Sequence, residues 1–129
     1  MKLNTERLKE IMNADPEFAL SSRMWDARLR YRLGDDSFLI VIRNGIVTDI
    51  VPAPGLFHEF TADIWAPDEV WSEILAAVPA PLFQDLFPAQ FHHGLRITGD
   101  LESFYCYYAA VRRTTDLMRQ VNNEASRAA

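Results

Sequence analysis

The residues of this chain that could take part in acid–base chemistry lie close to a run of aromatic side chains. Asp85 lies within the segment LFQDLFPAQF, His92 directly follows it, and Tyr108 comes in a later predicted helix. A carboxylate, an imidazole and a phenol at the mouth of an apolar cavity would have shifted pKa values and could move protons to and from a substrate. In a loop open to water the same groups are ordinary solvated side chains, and we expect a solvated loop for Asp85 and His92.

The histidines lack the spacing of a metal site. A protein-bound metal needs several ligands that converge on one ion, and the adjacent His92 and His93 cannot easily point both rings at the same ion from one loop. His58 and Asp63 are an odd number of residues apart on one predicted strand, so they face opposite sides of the sheet. The sequence therefore predicts no metal site and no histidine–aspartate pair on this strand.

No nucleophile or cofactor loop is apparent either. Ser103 and Cys106 lie three residues apart on the predicted last helix, without the sharp turn or the histidine partner that a nucleophile needs. We expect Cys106 to be a small buried apolar residue. The glycines are scattered as turn residues and form no phosphate-binding loop. We therefore predict no cofactor, and no catalytic residue beyond the candidates Asp85, His92 and Tyr108.

Composition limits the possible classes of protein. The chain has 129 residues, of which 49% are hydrophobic and 24% charged, as expected for one globular domain over residues 1–129. A net charge of −5 argues against the broad basic surface that nucleic-acid binding needs. The one cysteine excludes a framework of disulfides within the chain. No apolar run approaches the length of a membrane span, so we expect a cytoplasmic protein.

Alternation of apolar and charged residues predicts a sheet. The segment MWDARLRYRL places Leu29 and Tyr31 on one face of a strand and Arg28, Arg30 and Arg32 on the other. The segments SFLIVIRNG and IVTDIV continue an antiparallel meander through an Asn-Gly hairpin turn. FHEFTADIWA and GLRITG predict a fourth and a fifth strand.

Helical periodicity predicts the elements that cover this sheet. A first helix lies within residues 1–14, a second begins at Pro67, and a long last helix follows the capping residue Asp100 and frays over residues 122–129. Together these elements predict an α+β fold, with a five-stranded sheet covered by helices on one face. The arginine-bearing face would then meet solvent or a protein partner.

The order of these elements resembles the type-2 sterol carrier protein family of lipid-binding domains. The resemblance depends on a strand with an acidic residue that leads into a helix, and on a short strand with turn glycines that leads into the C-terminal helix. These positions are Asp63, Pro67, Trp71, Gly94, Gly99 and Asp100. The resemblance implies one sterol-carrier-like domain, a mostly antiparallel five-stranded sheet, and an apolar cavity between sheet and helices. It also implies binding of fatty acyl chains, sterols or other lipids, without catalytic residues in the simplest members.

The leading hypothesis is that the protein binds a hydrophobic small molecule of fatty acyl, sterol, terpenoid or polyketide-like type between sheet and helices. Ligand pockets are mostly apolar, with a few polar groups that fix orientation, and Tyr105 and Tyr108 could supply such hydroxyl anchors. The same apolar residues could equally form a closed core. The predicted lining is Trp71, Ile74, Leu75, Phe83, Leu86, Phe87, Phe104 and Tyr108.

Two other functions stay open from the sequence. A small enzyme or enzyme accessory subunit could act on a hydrophobic substrate in the same pocket, and Asp85 and His92 within hydrogen-bonding distance inside it would favour that function. A scaffold could instead bind a protein partner through the arginine-bearing face. A pocket filled by its own side chains would favour the scaffold.

Overall fold

The structure, a computed structural model, describes residues 1–128, with side chains as far as Glu124. These residues form five strands and six helices. In chain order they are α1 (Thr5–Ala14), α2 (Pro16–Ser21), β1 (Ala27–Leu33), β2 (Asp36–Arg43), β3 (Ile46–Pro52), β4 (Ala62–Ala66), α3 (Asp68–Ile74), α4 (Leu86–His92), β5 (Arg96–Gly99), α5 (Leu101–Cys106) and α6 (Tyr108–Ala128).

The five strands form one sheet in the order β3-β2-β1-β4-β5. The pairs β1–β2, β2–β3 and β4–β5 are antiparallel, whereas β4 lies parallel to β1. The chain therefore crosses from β3, at one edge of the sheet, to the far side of β1 through residues 53–61. This architecture confirms the predicted α+β fold with a mostly antiparallel five-stranded sheet.

The helices cover one face of the sheet, which we call the inner face. Tyr31 lies on this face between its cross-strand neighbours Phe38 and Ile64, and all three side chains are buried in the main apolar core. The helices α1 and α2 pack against α6, so the core is continuous from sheet to helices. The opposite, outer face carries Arg28, Arg30 and Arg32, as the alternation predicts.

Gly99 makes the turn from β5 into α5 possible. Its φ of +114° is rarely adopted by residues with a side chain, and a Cβ there would lie 2.3 Å from the carbonyl oxygen of Thr61. Asp100 then caps α5, because its carboxylate accepts a hydrogen bond of 3.1 Å from the backbone N–H of Ser103. Both roles agree with the sequence analysis.

One predicted strand and one predicted helix have different limits in the structure. The fourth strand begins at Ala62 instead of residue 57, and Leu56 and Phe57 before it are fully exposed. The helix that Pro67 introduces ends at Ile74, five residues before the next proline in the sequence, Pro79. These limits are set by backbone pairing and tertiary contacts, which a periodic pattern does not reveal.

The predicted last helix is divided in two at Tyr107, whose ring stacks on Trp25 with a centroid distance of 5.0 Å. Cys106, at the end of α5, is exposed, so the prediction that it is buried is wrong. The frayed tail predicted for residues 122–129 is helical in its backbone as far as Ala128. Side chains beyond Glu124, and residue 129, lie outside the described residues.

Candidate functional site

Residues 76–95 connect α3 to β5, contain α4 and form no strand; we call them the cap segment. Side chains of α5 and α6 hold this segment to the rest of the described structure. The Tyr105 hydroxyl bonds to Gln90 Oε1 at 3.0 Å, and Arg119 Nη2 donates to the carbonyl oxygen of Gln84 at 3.0 Å. Among the described residues, the tertiary hydrogen bonds of this segment therefore come from side chains, and no strand ladder joins it to the sheet.

Tyr108 makes the most buried of these links. Its hydroxyl donates to Asp85 Oδ2 at 2.7 Å and accepts from the backbone N–H of Phe87 at 2.9 Å. Asp85 is the N-cap residue of α4 but does not cap the helix with its own side chain, so the Tyr108 hydroxyl takes that role. Burial, together with the hydrogen bond to Asp85, raises the pKa of Tyr108, which keeps this phenol protonated near neutral pH.

Tyr31 brings a second hydroxyl to the same region from the sheet. Its side chain is fully buried, and neither its hydroxyl nor Asp85 Oδ1 has a hydrogen-bond partner among the described residues. Burial raises the pKa of Tyr31, and the nearby negative charge of Asp85 raises it further, so Tyr31 is also a neutral donor. We call Tyr31, Asp85 and Tyr108 the buried polar cluster.

Other buried polar groups of this core do have hydrogen-bond partners. The Trp71 indole N–H, which lies beside Tyr31 with a ring-centroid distance of 6.1 Å, donates to the carbonyl oxygen of Arg32 at 2.9 Å. The hydroxyl of the buried Thr114 likewise donates to the carbonyl oxygen of Ala110 at 2.8 Å. Because a buried polar atom without a partner destabilises the fold, such atoms are candidates for binding a further molecule.

Three of the predicted lining residues, Trp71, Phe87 and Phe104, have rings next to this cluster, and most of the eight side chains have no open space beside them. Phe83 and Tyr108 are partly buried against the core, and Phe87 is 49% exposed. The other five side chains are fully or almost fully buried, so the layer is closed in this structure. They are Trp71, Ile74, Leu75, Leu86 and Phe104.

The cap segment presents apolar side chains both inward and outward. On its inner side, Leu86 and Ala89 are completely buried. On its outer side, the rings of Phe87 and Phe91 pack together with a centroid distance of 5.0 Å, and Phe91 is 69% exposed. The Phe87 ring also meets Tyr105 edge to face at 6.4 Å. The segment is therefore apolar on both of its sides.

The predicted candidates for acid–base chemistry do not all come together. Asp85 bonds to Tyr108, and His92 lies exposed on α4. The prediction that Asp85 is solvated is wrong, because one of its oxygens is buried and the other is bonded to Tyr108. The ring of His93 stacks on Phe83 at 3.6 Å, and its Nε2 is buried with no hydrogen-bond partner among the described residues.

Neither a metal centre nor a membrane-spanning helix is found within the part of the chain that the structure describes. There, no three side chains of the His, Cys, Asp or Glu type are grouped so that they could hold an ion. Each helix in that part is too short or too polar to cross a bilayer.

The outer face of the sheet carries a different carboxylate, Asp63, which is paired with arginines. Arg30 Nε donates to its Oδ1 at 2.6 Å, and Arg32 binds both oxygens, at 3.0 and 2.6 Å. Burial opposes ionisation of Asp63, but the hydrogen bonds from Arg32 and Arg30 outweigh it and hold its pKa below the usual range. Arg30 also lies 4.1 Å above the ring of Phe60. We call Arg30, Arg32 and Asp63 the outer ion cluster.

The sequence analysis missed Tyr31 as a site residue. Alternation correctly placed it on the apolar face of β1, and on that basis it was grouped with Leu29 and Leu33. The available signal was the residue type, because the hydroxyl of a buried tyrosine usually finds a hydrogen-bond partner.

The fold of this chain matches the folds of proteins whose structures have been solved. Over 90% of this chain and 93% of the other, the structure matches the crystal structure of sterol carrier protein 2, with a TM-score of 0.73 and 16% sequence identity. The chain has the sterol carrier protein 2 fold.

Two further structures share this fold. A conserved hypothetical protein from Thermus thermophilus, described as a possible sterol carrier protein, matches with a TM-score of 0.69 and 17% identity over 89% of this chain and 83% of that one. The ubiquinone synthesis protein UbiJ-SCP2 matches with a TM-score of 0.55 and 15% identity over 86% and 88% of the two chains. No protein-family model matches the sequence, and no curated protein matches it significantly.

Proposed function

We propose that this protein binds a hydrophobic small molecule, of fatty acyl, sterol, terpenoid or polyketide-like type, beneath the cap segment. The observation that carries this proposal is the construction of that segment: it is apolar on both sides, and its tertiary hydrogen bonds come from a few side chains. A ligand enters by displacing the cap segment from the inner core and then packs between Leu86 of that segment and the core side chains Trp71 and Phe104.

The free energies involved favour such an exchange. Burial of about ten methylene groups of a ligand contributes about 8 kcal/mol, at about 0.8 kcal/mol each. Moving Leu86 and Phe83 out of the core costs about 3–6 kcal/mol, at about 1.5–3 kcal/mol for each large apolar side chain. A ligand of this size can therefore offset the cost of opening.

The shared fold supports this proposal, because one of the matching structures is named a sterol carrier protein. The similarity to UbiJ-SCP2 favours a second candidate, an accessory subunit that presents a hydrophobic substrate to an enzyme. Catalysis by the chain itself is less well supported, since Asp85 and His92 do not meet in a common pocket.

A protein partner on the arginine-bearing face stays a prediction, as does the cytoplasmic location. Arg30 and Arg32 share the single negative charge of Asp63, so these three residues keep one positive charge, and Arg28 and Arg43 add theirs to the face that would meet an acidic partner. The closed packing of the inner layer favours a scaffold over an open pocket. If no ligand binds in the test below, a scaffold becomes the favoured function.

The test is a titration with a fatty acid, a sterol and a terpenoid, followed by intrinsic tryptophan fluorescence, with Leu86→Ala and Leu8→Ala as matched variants. Leu86 and Leu8 are both 0% exposed, but Leu8 lies on α1, away from the cap segment. We expect both variants to lose about 3 kcal/mol of stability, and only Leu86→Ala to change ligand affinity. Absence of binding by every probe, or equal changes in the two variants, would contradict the proposal.

A further inference from the structure

The strands of the sheet carry a positive charge on their outer face, although the whole chain has a net charge of −5. Strand register and alternation place five arginines and three aspartates on this face, counting the residue just before β1. They are Arg28, Arg30, Arg32, Arg43 and Arg96, with Asp26, Asp49 and Asp63. The excess negative charge therefore lies elsewhere on the chain, and this face attracts acidic groups of a partner.

Two of these arginines are not paired within the protein. Asp63 binds Arg30 and Arg32, whereas Arg28 and Arg43 form no ion pair among the described residues. The Nε atom of Arg28 is buried and has no hydrogen-bond acceptor there. A buried guanidinium N–H without an acceptor is unfavourable, and a carboxylate is the acceptor that a guanidinium binds best. Arg28 is therefore a donor available to an acidic group.

A cavity of about 170 Å³ lies between Arg28 and Arg43. Its floor includes Val41, which lies directly opposite Arg28 on β2. Asp26 and Thr61 also line it, but both are already bonded: Asp26 Oδ1 accepts from the backbone of the β2–β3 turn at 2.8 Å, and Thr61 Oγ1 accepts from the backbone N–H of Arg28 at 3.0 Å. Since one water occupies about 30 Å³ in the liquid, the cavity has room for a carboxylate side chain.

We propose that the outer face docks an acidic segment of a partner protein, with one carboxylate of that segment in the cavity between Arg28 and Arg43. The guanidinium of Arg28 donates to this carboxylate, and the exposed Arg43 adds its charge at the rim. This surface lies on the side of the sheet opposite the cap segment, so the inference does not depend on ligand binding there.

A protein segment fits this face better than a membrane or a nucleic acid. A bilayer surface or a nucleic acid presents many phosphates, which would also meet the aspartates of the face, whereas a short segment can place its carboxylates on the arginines alone. The face also carries aromatic rings beside arginines. Arg30 lies 4.1 Å above the ring of Phe60, and Arg96 lies 5.5 Å from that of Trp65. Arginine and aromatic residues are enriched in protein–protein interfaces.

The experiment measures, by fluorescence anisotropy, the binding of a labelled short peptide that alternates glutamate with threonine. In an extended segment alternate residues share a face, so all its glutamates can meet the sheet. The comparison peptide has glutamine in place of glutamate. The protein variants are Arg28→Gln, Arg43→Gln and the control Arg112→Gln, which removes the same charge from an exposed position on α6.

We expect the wild-type protein and Arg112→Gln to bind the glutamate peptide about tenfold or more tightly than the glutamine peptide. Arg28→Gln should weaken this binding about tenfold, and Arg43→Gln about threefold, because a partly buried donor contributes more than a charge at the rim. Arg43 is exposed, so its variant tests the surface even if Arg28→Gln disturbs the sheet.

Three results would overturn the inference: no binding or no preference for glutamate, an equal loss in the control Arg112→Gln, or arginine-dependent binding to phosphatidylserine vesicles without binding of the peptide. The last result would assign the outer face to a membrane. Each of them leaves ligand binding beneath the cap segment intact, because the titration with hydrophobic compounds tests that function separately.

Discussion

Two aspartates, Asp63 on the outer face of the sheet and Asp85 in the cap segment, have very different surroundings. In the outer ion cluster, Asp63 accepts three hydrogen bonds from two arginines. In the buried polar cluster, Asp85 accepts one hydrogen bond from Tyr108 and leaves its other oxygen without a partner among the described residues. A fully bonded carboxylate contributes to the stability of the fold, whereas an incompletely bonded one is available to a ligand. The comparison predicts that Asp63 contributes more to the stability of the fold than Asp85 does.

The largest expected effect is on the outer face. Asp63→Asn should lower the free energy of unfolding by about 3 kcal/mol, because it leaves two arginines beside a neutral group. This value is at the low end of the range for a broken buried ion pair, because both arginine side chains are partly exposed to water. Urea denaturation measures the change. Asp49→Asn, on the exposed side of β3, is the matched control and should change stability by less than about 0.5 kcal/mol. If the two variants lower the free energy of unfolding equally, Asp63 does not have the structural role described here.

The second prediction concerns pH and the same ion cluster. The folded pKa of Asp63 is lowered, so its contribution to stability is present above the unfolded pKa of about 3.9 and is lost as the pH falls through the lower folded pKa. The wild-type protein should therefore lose more stability than Asp63→Asn between pH 5 and the acid limit of folding. Denaturation curves at a series of pH values measure the two slopes. Asp15, whose pKa is lowered mainly by the hydrogen bond from Arg113, contributes to both proteins alike.

A smaller loss is expected from Tyr108→Phe. This change removes the donor to Asp85 Oδ2 and the acceptor for the backbone N–H of Phe87, and should cost about 1–2 kcal/mol. It should also loosen the cap segment, so amide hydrogen exchange of α4 should become faster while that of β1 and β2 changes less. Uniform acceleration over the whole chain would show that Tyr108 supports the entire fold and not this segment.

The smallest effect should have the opposite sign. Tyr31→Phe removes a buried hydroxyl that has no partner among the described residues, so it should leave stability unchanged or raise it by up to about 1 kcal/mol. Thermal unfolding in the absence of ligand measures this. A loss of stability similar to that of Tyr108→Phe would show that the Tyr31 hydroxyl makes a structural bond, and the contrast between the two faces would be lost.

Local sequence signals predicted most of the sheet. The alternation over residues 24–33 and the Asn-Gly pair at 44 and 45 give β1, β2 and β3, because both signals depend only on neighbouring residues. Asp100 and Gly99 were identified for the same reason. The start of β4 was placed too early, since it depends on pairing with β1 and β5 and not on its own pattern.

The candidate site was harder to predict because its polar groups are far apart in the sequence. Tyr31, Asp85 and Tyr108 come from a strand, a connecting segment and a helix, and no local pattern links them. Five of the eight predicted lining residues are fully or almost fully buried, but Phe87 is 49% exposed, and whether the set lines a ligand pocket stays a prediction. Periodicity does not indicate which buried hydroxyl lacks a partner.

The most direct test of ligand binding beneath the cap segment is native mass spectrometry of the freshly purified protein, followed by organic extraction and identification of the released compound. We expect one bound apolar molecule per chain. A mass equal to that of the bare chain, with no uptake of alcohols, sterols or terpenoids on titration, would contradict the proposal and favour a protein that acts through its surface.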